Sequence, residues 1–165
     1  MRQELRKNLT ELNHIHEELD DIFFQHQVAI LKNDYDRAKT LLRSYEEALY
    51  AHMKEEDEIL LPIYQERAGE LRGGNTENFI GEHKKIVEWL NRMKLRLHRL
   101  VPSVVDHRSL IALLDDEAHY KKFMEHHTLR EDRIFYPEIE RVVTPSEKAG
   151  LLRLLTFSLD SPPKH

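Results

Sequence analysis

The stretch HMKEEDEILLP at residues 52–62 has a counterpart in HTLREDRIFYP at residues 127–137. Both read His-x-x-x-Glu-Asp-x-x-x-x-Pro, so in each of them a histidine precedes a glutamate by four residues. On a helix this spacing places the imidazole and the carboxylate on one face, one turn apart, where both can bind the same metal ion. The repeated stretch therefore predicts a helical protein with a metal site.

A second repeat lies upstream of the first in each half of the chain. His16 and His83 are each followed by apolar residues at the third and seventh positions, which is the periodicity of one helix face. The sequence is therefore interpreted as two copies of a two-helix unit, and every helix of these units carries a histidine.

Apolar periodicity and helix-ending residues predict five helical segments. The first is expected from about residue 5 to residue 31. The second is expected to start after Asn33-Asp34, and Pro62 to kink or end it. A glycine-rich stretch at residues 69–75 separates the two halves, and the fourth segment is expected to begin around Asp106.

A short fifth helix is expected at the sequence Thr-Pro-Ser-Glu that starts at Thr144, which is a capping box with proline at the first helical position. No strand pattern competes with these helices. The predicted fold class is all-α, an up-down-up-down four-helix bundle with a short C-terminal fifth helix. Residues 1–160 are expected to form this single domain and residues 161–165 a disordered tail.

The turn positions predict that the candidate ligands converge. In an antiparallel helix pair, residues equally far from the turn lie at the same level. The midpoint between His16 and His52 falls at Asp34, in a predicted turn. The midpoint between His83 and His127 falls in the turn before the fourth segment. One layer of the bundle is therefore expected to contain all six candidate metal ligands, which are His16, His52, Glu56, His83, His127 and Glu131.

These six residues occupy positions where the helical pattern calls for apolar side chains. Buried imidazoles and carboxylates are costly unless they are paired or bound to a metal. His26, an inward histidine that is not one of the six, is interpreted as a core histidine with its hydrogen bonds satisfied. His14 and Glu18 repeat the His-x-x-x-Glu spacing on an outward face, and that match is interpreted as chance.

Several neighbouring residues keep alternative interpretations. Asp132 could replace Glu131 as the ligand of the fourth segment. Tyr45 and Tyr120 each precede a candidate ligand by seven residues and are expected to pack over the site, where a hydroxyl could reach a ligand. His119 and His126 flank the inward face of the fourth segment, and either could contact a ligand residue without binding the metal itself.

The donor set indicates which metal is bound. Imidazole with carboxylate suits iron, manganese or zinc, while the absence of cysteine disfavours copper(I) and structural zinc. Two half-sites suggest two ions, one held by His16 and His52 and the other by His83 and His127. Glu56 and Glu131 would bridge the two ions. Counting an oxo or hydroxo bridge, each ion would have about five ligands and one vacancy, which suits dioxygen, nitric oxide or peroxide.

Composition limits the other function classes. The net charge of −5 gives no reason to expect a nucleic-acid partner. No run approaches the ~20 apolar residues of a membrane helix, and no apolar leader follows the first residues. The absence of cysteine excludes disulfides, iron–sulfur ligation and thiol nucleophiles. A cytoplasmic protein is expected, with its oligomeric state left open.

The chain resembles the hemerythrin-like, or HHE cation-binding, domain over residues 9–158. The resemblance implies a four-helix bundle with a non-haem di-iron centre, whose ligand motif maps onto the six candidates above. One position departs from the oxygen-carrying hemerythrins, which have a second histidine where this chain has Phe79. They also use a carboxylate five residues after the fourth-helix histidine, which here is Asp132. Without the extra histidine, both metals can be open, and simple reversible oxygen carriage is in doubt.

Three functions compete on this basis. The first, which we favour, is a di-iron protein that holds or senses dioxygen, nitric oxide or iron. The second is a di-iron redox enzyme that detoxifies peroxide or nitric oxide or repairs iron centres; repair members of the family carry a cysteine, which this sequence lacks. The third, a ferritin-like carboxylate protein, needs Glu-x-x-His on two helices. Only Glu11 with His14 fits that spacing, on an outward face, so this interpretation fails.

Overall fold

The structure is a computed structural model that describes residues 8–68, 74–104 and 106–155. These residues are almost all helical and include no β-strand, which confirms the predicted all-α class. Three expectations fall outside the described residues: the start of the first helix at residues 5–7, most of the glycine-rich stretch, and the disordered tail. The single domain over residues 1–160 stays a prediction.

Within the described residues, seven α-helices follow a short 3₁₀ turn. In chain order the elements are the 3₁₀ turn Leu9–Asn13, α1 His14–Leu31, α2 Tyr35–Glu55, α3 Leu61–Arg67, α4 Thr76–His98, α5 His107–Arg130, α6 Tyr136–Val142 and α7 Pro145–Leu154. Two π-helical segments, Glu56–Leu60 and Glu131–Phe135, connect α2 to α3 and α5 to α6 without a break. The part of the chain that the structure describes therefore has four long helical segments and a short fifth helix, as predicted.

Side-chain caps explain where the helices begin. Asp34 accepts a hydrogen bond from the Arg37 amide at the start of α2, and Asp106 does the same for Ser109 at the start of α5. Thr144 forms the predicted capping box at α7. Asn33 has a positive φ of 58°, which asparagine tolerates better than most residues, so α1 ends where the turn was predicted.

The expectation that Pro62 would kink or end its helix is only partly correct. The regular α-helix does end at Glu55, but the helical path continues through the π segment into α3. Proline lacks an N–H and clashes with the carbonyl four residues earlier. The wider π turn before it changes the hydrogen-bond pattern, and Pro62 then occupies the first turn of α3, where no such bond is needed.

The apolar core is divided in two by a polar layer. The larger cluster includes Leu19 and Met124, and the smaller one includes Leu12 and Phe135. Along every long helical segment, the candidate ligands lie between members of the one cluster and members of the other. The fold thus places the polar residues in a single layer between two apolar clusters.

The long segments pack in pairs, α1 against α2 and α4 against α5, with α2 also touching α4. This arrangement is consistent with a four-helix bundle, while the up-down-up-down order stays a prediction. Within the described ranges, no helix combines the length and the apolar composition that crossing a membrane requires.

Candidate metal centre

The structure brings the six predicted ligands together in the polar layer, and each is at most 8% exposed. Four of them, Glu56, His83, His127 and Glu131, offer ligand atoms that all lie within 4.8 Å of one another. A second such group is formed by His16, His52 and Glu131. Glu131 belongs to both groups, so the two possible cation positions share a carboxylate. Metal binding by these residues itself stays a prediction.

The two carboxylates face both pairs of histidines. Glu131 Oε2 lies 3.0 Å from His16 Nε2, and Glu131 Oε1 lies 2.7 Å from His127 Nε2. Glu56 Oε1 lies 3.5 Å from His52 Nε2, and Glu56 Oε2 lies 3.5 Å from His83 Nε2. Each carboxylate therefore directs one oxygen toward a histidine of the first half of the chain and the other oxygen toward a histidine of the second half.

Several donor atoms in this cluster are suited to a cation. Among the residues that the structure describes, Glu56 Oε2, His83 Nε2 and both oxygens of Glu131 are buried without a hydrogen bond of good geometry. A buried polar atom left without such a bond costs about 1–3 kcal/mol. A cation held between these nitrogen and oxygen atoms would offset that cost, so the donor set fits a metal of the imidazole–carboxylate class.

Carboxylates control the protonation of three of the histidines. Burial lowers the pKa of His16, but the nearby carboxylates of Asp132 and Glu131 outweigh this effect and raise it to about 10. Burial also lowers the pKa of His83, while Asp57 and Glu131 raise it to about 12. For His127, the attraction of Glu131 outweighs burial and raises the pKa to about 9.

The pKa values of His52 and Glu131 are instead lowered. Burial lowers the pKa of His52 despite the nearby carboxylates. Burial raises the pKa of Glu131, but the imidazoles around it outweigh burial and hold the value well below its usual range. Without metal, the raised pKa values of three histidines and the lowered pKa of Glu131 favour ion pairs between these imidazoles and Glu131.

Outer carboxylates orient the candidate ligands from behind. His83 Nδ1 donates to Asp57 Oδ1 at 2.9 Å, and His16 Nδ1 lies 3.5 Å from Asp132 Oδ1. Each aspartate follows the glutamate of one repeat and contacts the histidine of the other repeat. These contacts direct the opposite ring nitrogen, Nε2, into the cluster. Asp132 is a third exposed and lies on the Nδ1 side of His16, whereas Glu131 belongs to both ligand groups; which of the two would bind a metal stays a prediction.

Glu82 supports His127 and was missed by the sequence analysis. His127 Nδ1 donates to Glu82 Oε2 at 2.9 Å, and Arg130 donates to Glu82 Oε1 at 2.6 Å. The signal in the sequence was a charged residue next to His83 on the inward side of α4. Its counterpart in the first repeat is Ile15, so the repeat gave no indication of it.

Tyr136 is the second residue that the sequence analysis missed. Its hydroxyl donates a hydrogen bond of 2.6 Å to Glu56 Oε1, and its ring stacks on the His16 ring with centroids 6.2 Å apart. Burial raises the pKa of Tyr136 well above its usual range, so the phenol keeps its proton and remains a donor. Leu61 takes the equivalent position in the first repeat.

The expected role of Tyr45 and Tyr120 is only partly correct. Both are buried core aromatics, as predicted, and their rings pack on Phe23. Their hydroxyls lie 2.7 Å apart and hydrogen-bond to each other rather than reaching a candidate ligand.

Two other described histidines, His14 and His26, lie as the sequence indicated. His26 is fully buried, with Ala38 O and Glu117 Oε1 each 2.8 Å from its ring nitrogens, which confirms a satisfied core histidine. His14 is exposed, as expected. The supporting role suggested for His119 and His126 belongs to other residues, since both are exposed and His119 stacks on a tryptophan.

Phe79 occupies the place where oxygen carriers have an additional histidine. It lies one turn before His83 and is 1% exposed. Its ring packs on Phe135 and Tyr64, with centroids 4.8 and 5.9 Å away. This position therefore belongs to the apolar cluster below the centre and offers no donor.

Comparison with known proteins agrees with the geometry. The family model of the hemerythrin HHE cation-binding domain matches residues 7–139, a range that includes all six candidate ligands and ends before α7. A search of curated proteins and a search of solved structures each gave no match. The resemblance is thereby confirmed, over a range shorter at its C-terminal end than expected. The chain belongs to the hemerythrin HHE cation-binding domain family.

Proposed function

We propose that this chain is a cytoplasmic non-haem di-iron protein that binds a small diatomic ligand, dioxygen or nitric oxide, or senses or stores iron and oxygen at a carboxylate-bridged centre. Its partner in this proposal is a small molecule, and neither nucleic acid nor a membrane takes part. The family and the buried cluster of histidine and glutamate residues support a cation site in general. Iron, the number of ions and the diatomic ligand are the proposal.

The single observation that carries the proposal is that Glu56 and Glu131 each direct one oxygen toward one histidine pair and the other oxygen toward the second pair. His16 and His52 would hold one ion, and His83 and His127 the other, with both carboxylates shared. Asp57 of the first repeat contacts His83 of the second, and Asp132 of the second contacts His16 of the first. Such crossed contacts are expected for an up-down-up-down order of the four segments.

Iron is proposed from the donors together with the family resemblance. Four imidazole nitrogens and four carboxylate oxygens suit iron, manganese or zinc, and the resemblance to hemerythrin-like di-iron proteins favours iron over manganese or zinc. Shared between two ions, these eight atoms leave positions for an outside ligand. When bound, the iron pair would supply the site at which dioxygen, nitric oxide or peroxide binds. The protein would hold the carboxylates in place, with Tyr136 fixing Glu56, and keep the centre between two apolar clusters.

A second candidate is a di-iron redox enzyme that detoxifies peroxide or nitric oxide or repairs iron centres. The observation in its favour is Phe79, which supplies no donor and so leaves both ions with room for an outside ligand. An enzyme of this kind would consume its ligand, whereas a carrier or sensor would release it unchanged.

The test is the optical spectrum of the iron-loaded protein, reduced without oxygen and recorded before oxygen, after oxygen and after its removal. Bands that appear with oxygen and disappear on its removal would support binding. Irreversible conversion to a stable oxidised spectrum would favour the enzyme. A protein that takes up no iron would contradict both.

A further inference from the structure

A cleft of about 360 Å³ lies between α1 and α5. Buried side chains form its floor, among them Phe23, Tyr45, Tyr120 and Met124. Exposed polar residues such as Asp20 form its rim. A concave apolar floor below a polar rim is typical of sites that take small molecules.

The cleft lies next to the candidate metal centre. Asp20 follows His16 by four residues on α1, and Met124 precedes His127 by three residues on α5. Residues at these spacings share one helix face, and a helical turn is about 5.4 Å long. The cleft and two of the six predicted ligands therefore occupy continuous strips along α1 and α5.

The floor of the cleft favours neutral molecules over ions. The hydroxyls of Tyr45 and Tyr120 bond to each other, and Phe23 packs on both rings at centroid distances of 5.1 and 5.5 Å. An ion that entered would lose its hydration without gaining a charged partner on this floor, which is costly. Dioxygen and nitric oxide are neutral and lose little hydration.

A chain of hydrogen bonds fastens α1 to α5 beside the cleft. Lys121 Nζ donates to Gln27 Oε1 at 3.0 Å, and Gln27 Nε2 donates to Glu117 Oε2 at 2.9 Å. Glu117 Oε1 in turn lies 2.8 Å from His26 Nε2. Because Gln27 and Lys121 also line the cleft, this chain fixes the separation of the two helices there.

We propose that the α1–α5 cleft is the path by which the neutral diatomic ligand reaches the metal centre, and that Met124 sets its width. This inference rests on the proposed function, because it assumes that dioxygen or nitric oxide binds at the centre. Met124 suits the role, since it lines the cleft one turn before His127 and has a flexible, unbranched side chain.

The first test follows dissolved oxygen directly and needs no iron. Oxygen is paramagnetic and broadens the NMR signals of groups that it approaches. Met53 and Met93 are matched controls, because they are 5% and 0% exposed against 8% for Met124 and do not line the cleft. In the full chain loaded with diamagnetic zinc and labelled at its methionine methyl groups, oxygen should broaden Met124 far more than the two controls. Equal broadening of all three would overturn the path.

The second test measures ligand binding by rapid mixing of the reduced, iron-loaded protein with dioxygen or nitric oxide. Met124→Trp should slow binding several-fold by filling the cleft, and Met124→Ala should not slow it. Leu95→Trp is the control, because Leu95 lines a different groove on the surface of α4. Iron content is measured for every variant, so that a slower rate cannot come from lost iron.

The outcomes separate this path from the proposed function. If both Met124 variants bind the ligand at the wild-type rate, the path is overturned and the proposed function stands. If the wild-type protein takes up iron but shows no spectral change with either gas, the proposed function is overturned and the path with it. If Met124→Trp does not fold, the NMR comparison still decides, because unequal broadening of Met124 and the two control methionines is expected only if the path exists.

Discussion

The hydroxyl of Tyr136 donates a 2.6 Å hydrogen bond to Glu56, although the two residues belong to opposite halves of the repeated sequence. Both are buried, and Glu56 begins a π-helical segment while Tyr136 follows the equivalent segment of the other half. The contact therefore ties one repeat to a candidate ligand of the other.

Replacing Tyr136 with phenylalanine should destabilise the protein and alter the centre. Loss of a hydrogen bond to a buried carboxylate should lower the free energy of unfolding by about 2 kcal/mol, measured by urea denaturation. The iron spectrum should shift as well, because Glu56 loses the group that fixes it. Tyr35→Phe is the matched control, since Tyr35 is buried and bonds to Asn33 away from the site. An unchanged spectrum in Tyr136→Phe would mean that the hydrogen bond is only structural.

Removing the charge behind His83 should weaken metal binding. Asp57→Asn keeps the shape of the side chain but takes away the carboxylate that accepts from His83 Nδ1. Supporting contacts of this kind are worth about tenfold to a hundredfold in metal affinity. Competition with a chelator would measure the change. Asp36→Asn, at a side chain that is 96% exposed, should have no effect, and equal affinity in both variants would contradict the supporting role.

The six-residue assignment predicts which histidine matters for iron content. His52→Ala should lower the iron bound per chain, because His52 is 2% exposed within the cluster. His14→Ala should retain full iron content, since His14 has the same His-x-x-x-Glu spacing on an exposed face. Metal analysis of both purified variants gives the answer. Iron loss from His14→Ala together with normal content in His52→Ala would contradict the assignment.

The melting temperature of metal-free protein should fall as the pH rises above neutral. The pKa values of His16 and His127 are raised to about 10 and about 9, so their ion pairs contribute fully below the ordinary histidine value of 6.5 and are lost as the pH rises through the raised values. The lowered pKa of Glu131 acts in the other direction, since its contribution is lost only as the pH falls below the ordinary value of 4.5.

Metal loading should reverse this dependence, because metal competes with protons for the same atoms and releases them on binding. The difference in melting temperature between iron-loaded and metal-free protein should therefore increase as the pH rises from about 6.5 to about 9. Calorimetry of both forms across that range measures it. A difference that is zero throughout would argue against metal binding by this cluster.

A large part of the fold and of the site could be predicted from the sequence, because the residues that form them recur at the same spacing in both halves of the chain. Equal spacing of histidine, glutamate and proline in both halves located the six polar residues that the structure brings together. Local signals with known chemistry, such as Asp34 and the Thr144 capping box, located the helix starts. These features depend on neighbours along the chain.

The residues that were missed are those that break the repeat. Tyr136 corresponds to Leu61, and Glu82 corresponds to Ile15. Their roles depend on distances between helices, which the spacing along one helix does not determine. The π-helical turn before Pro62 was missed for a similar reason, since how a backbone accommodates proline depends on the packing around it.

The polar layer between the two apolar clusters has a consequence for how the molecule opens. Neither cluster continues through the layer, so the cooperativity of unfolding depends on how firmly the imidazoles and carboxylates are held. When a cation joins them, the two ends of the molecule are linked and should resist hydrogen exchange together. When it leaves, the smaller cluster, with α3, α6 and α7, can exchange its amides separately. The rate of amide hydrogen exchange at that end of the molecule would then report whether the centre holds a metal ion.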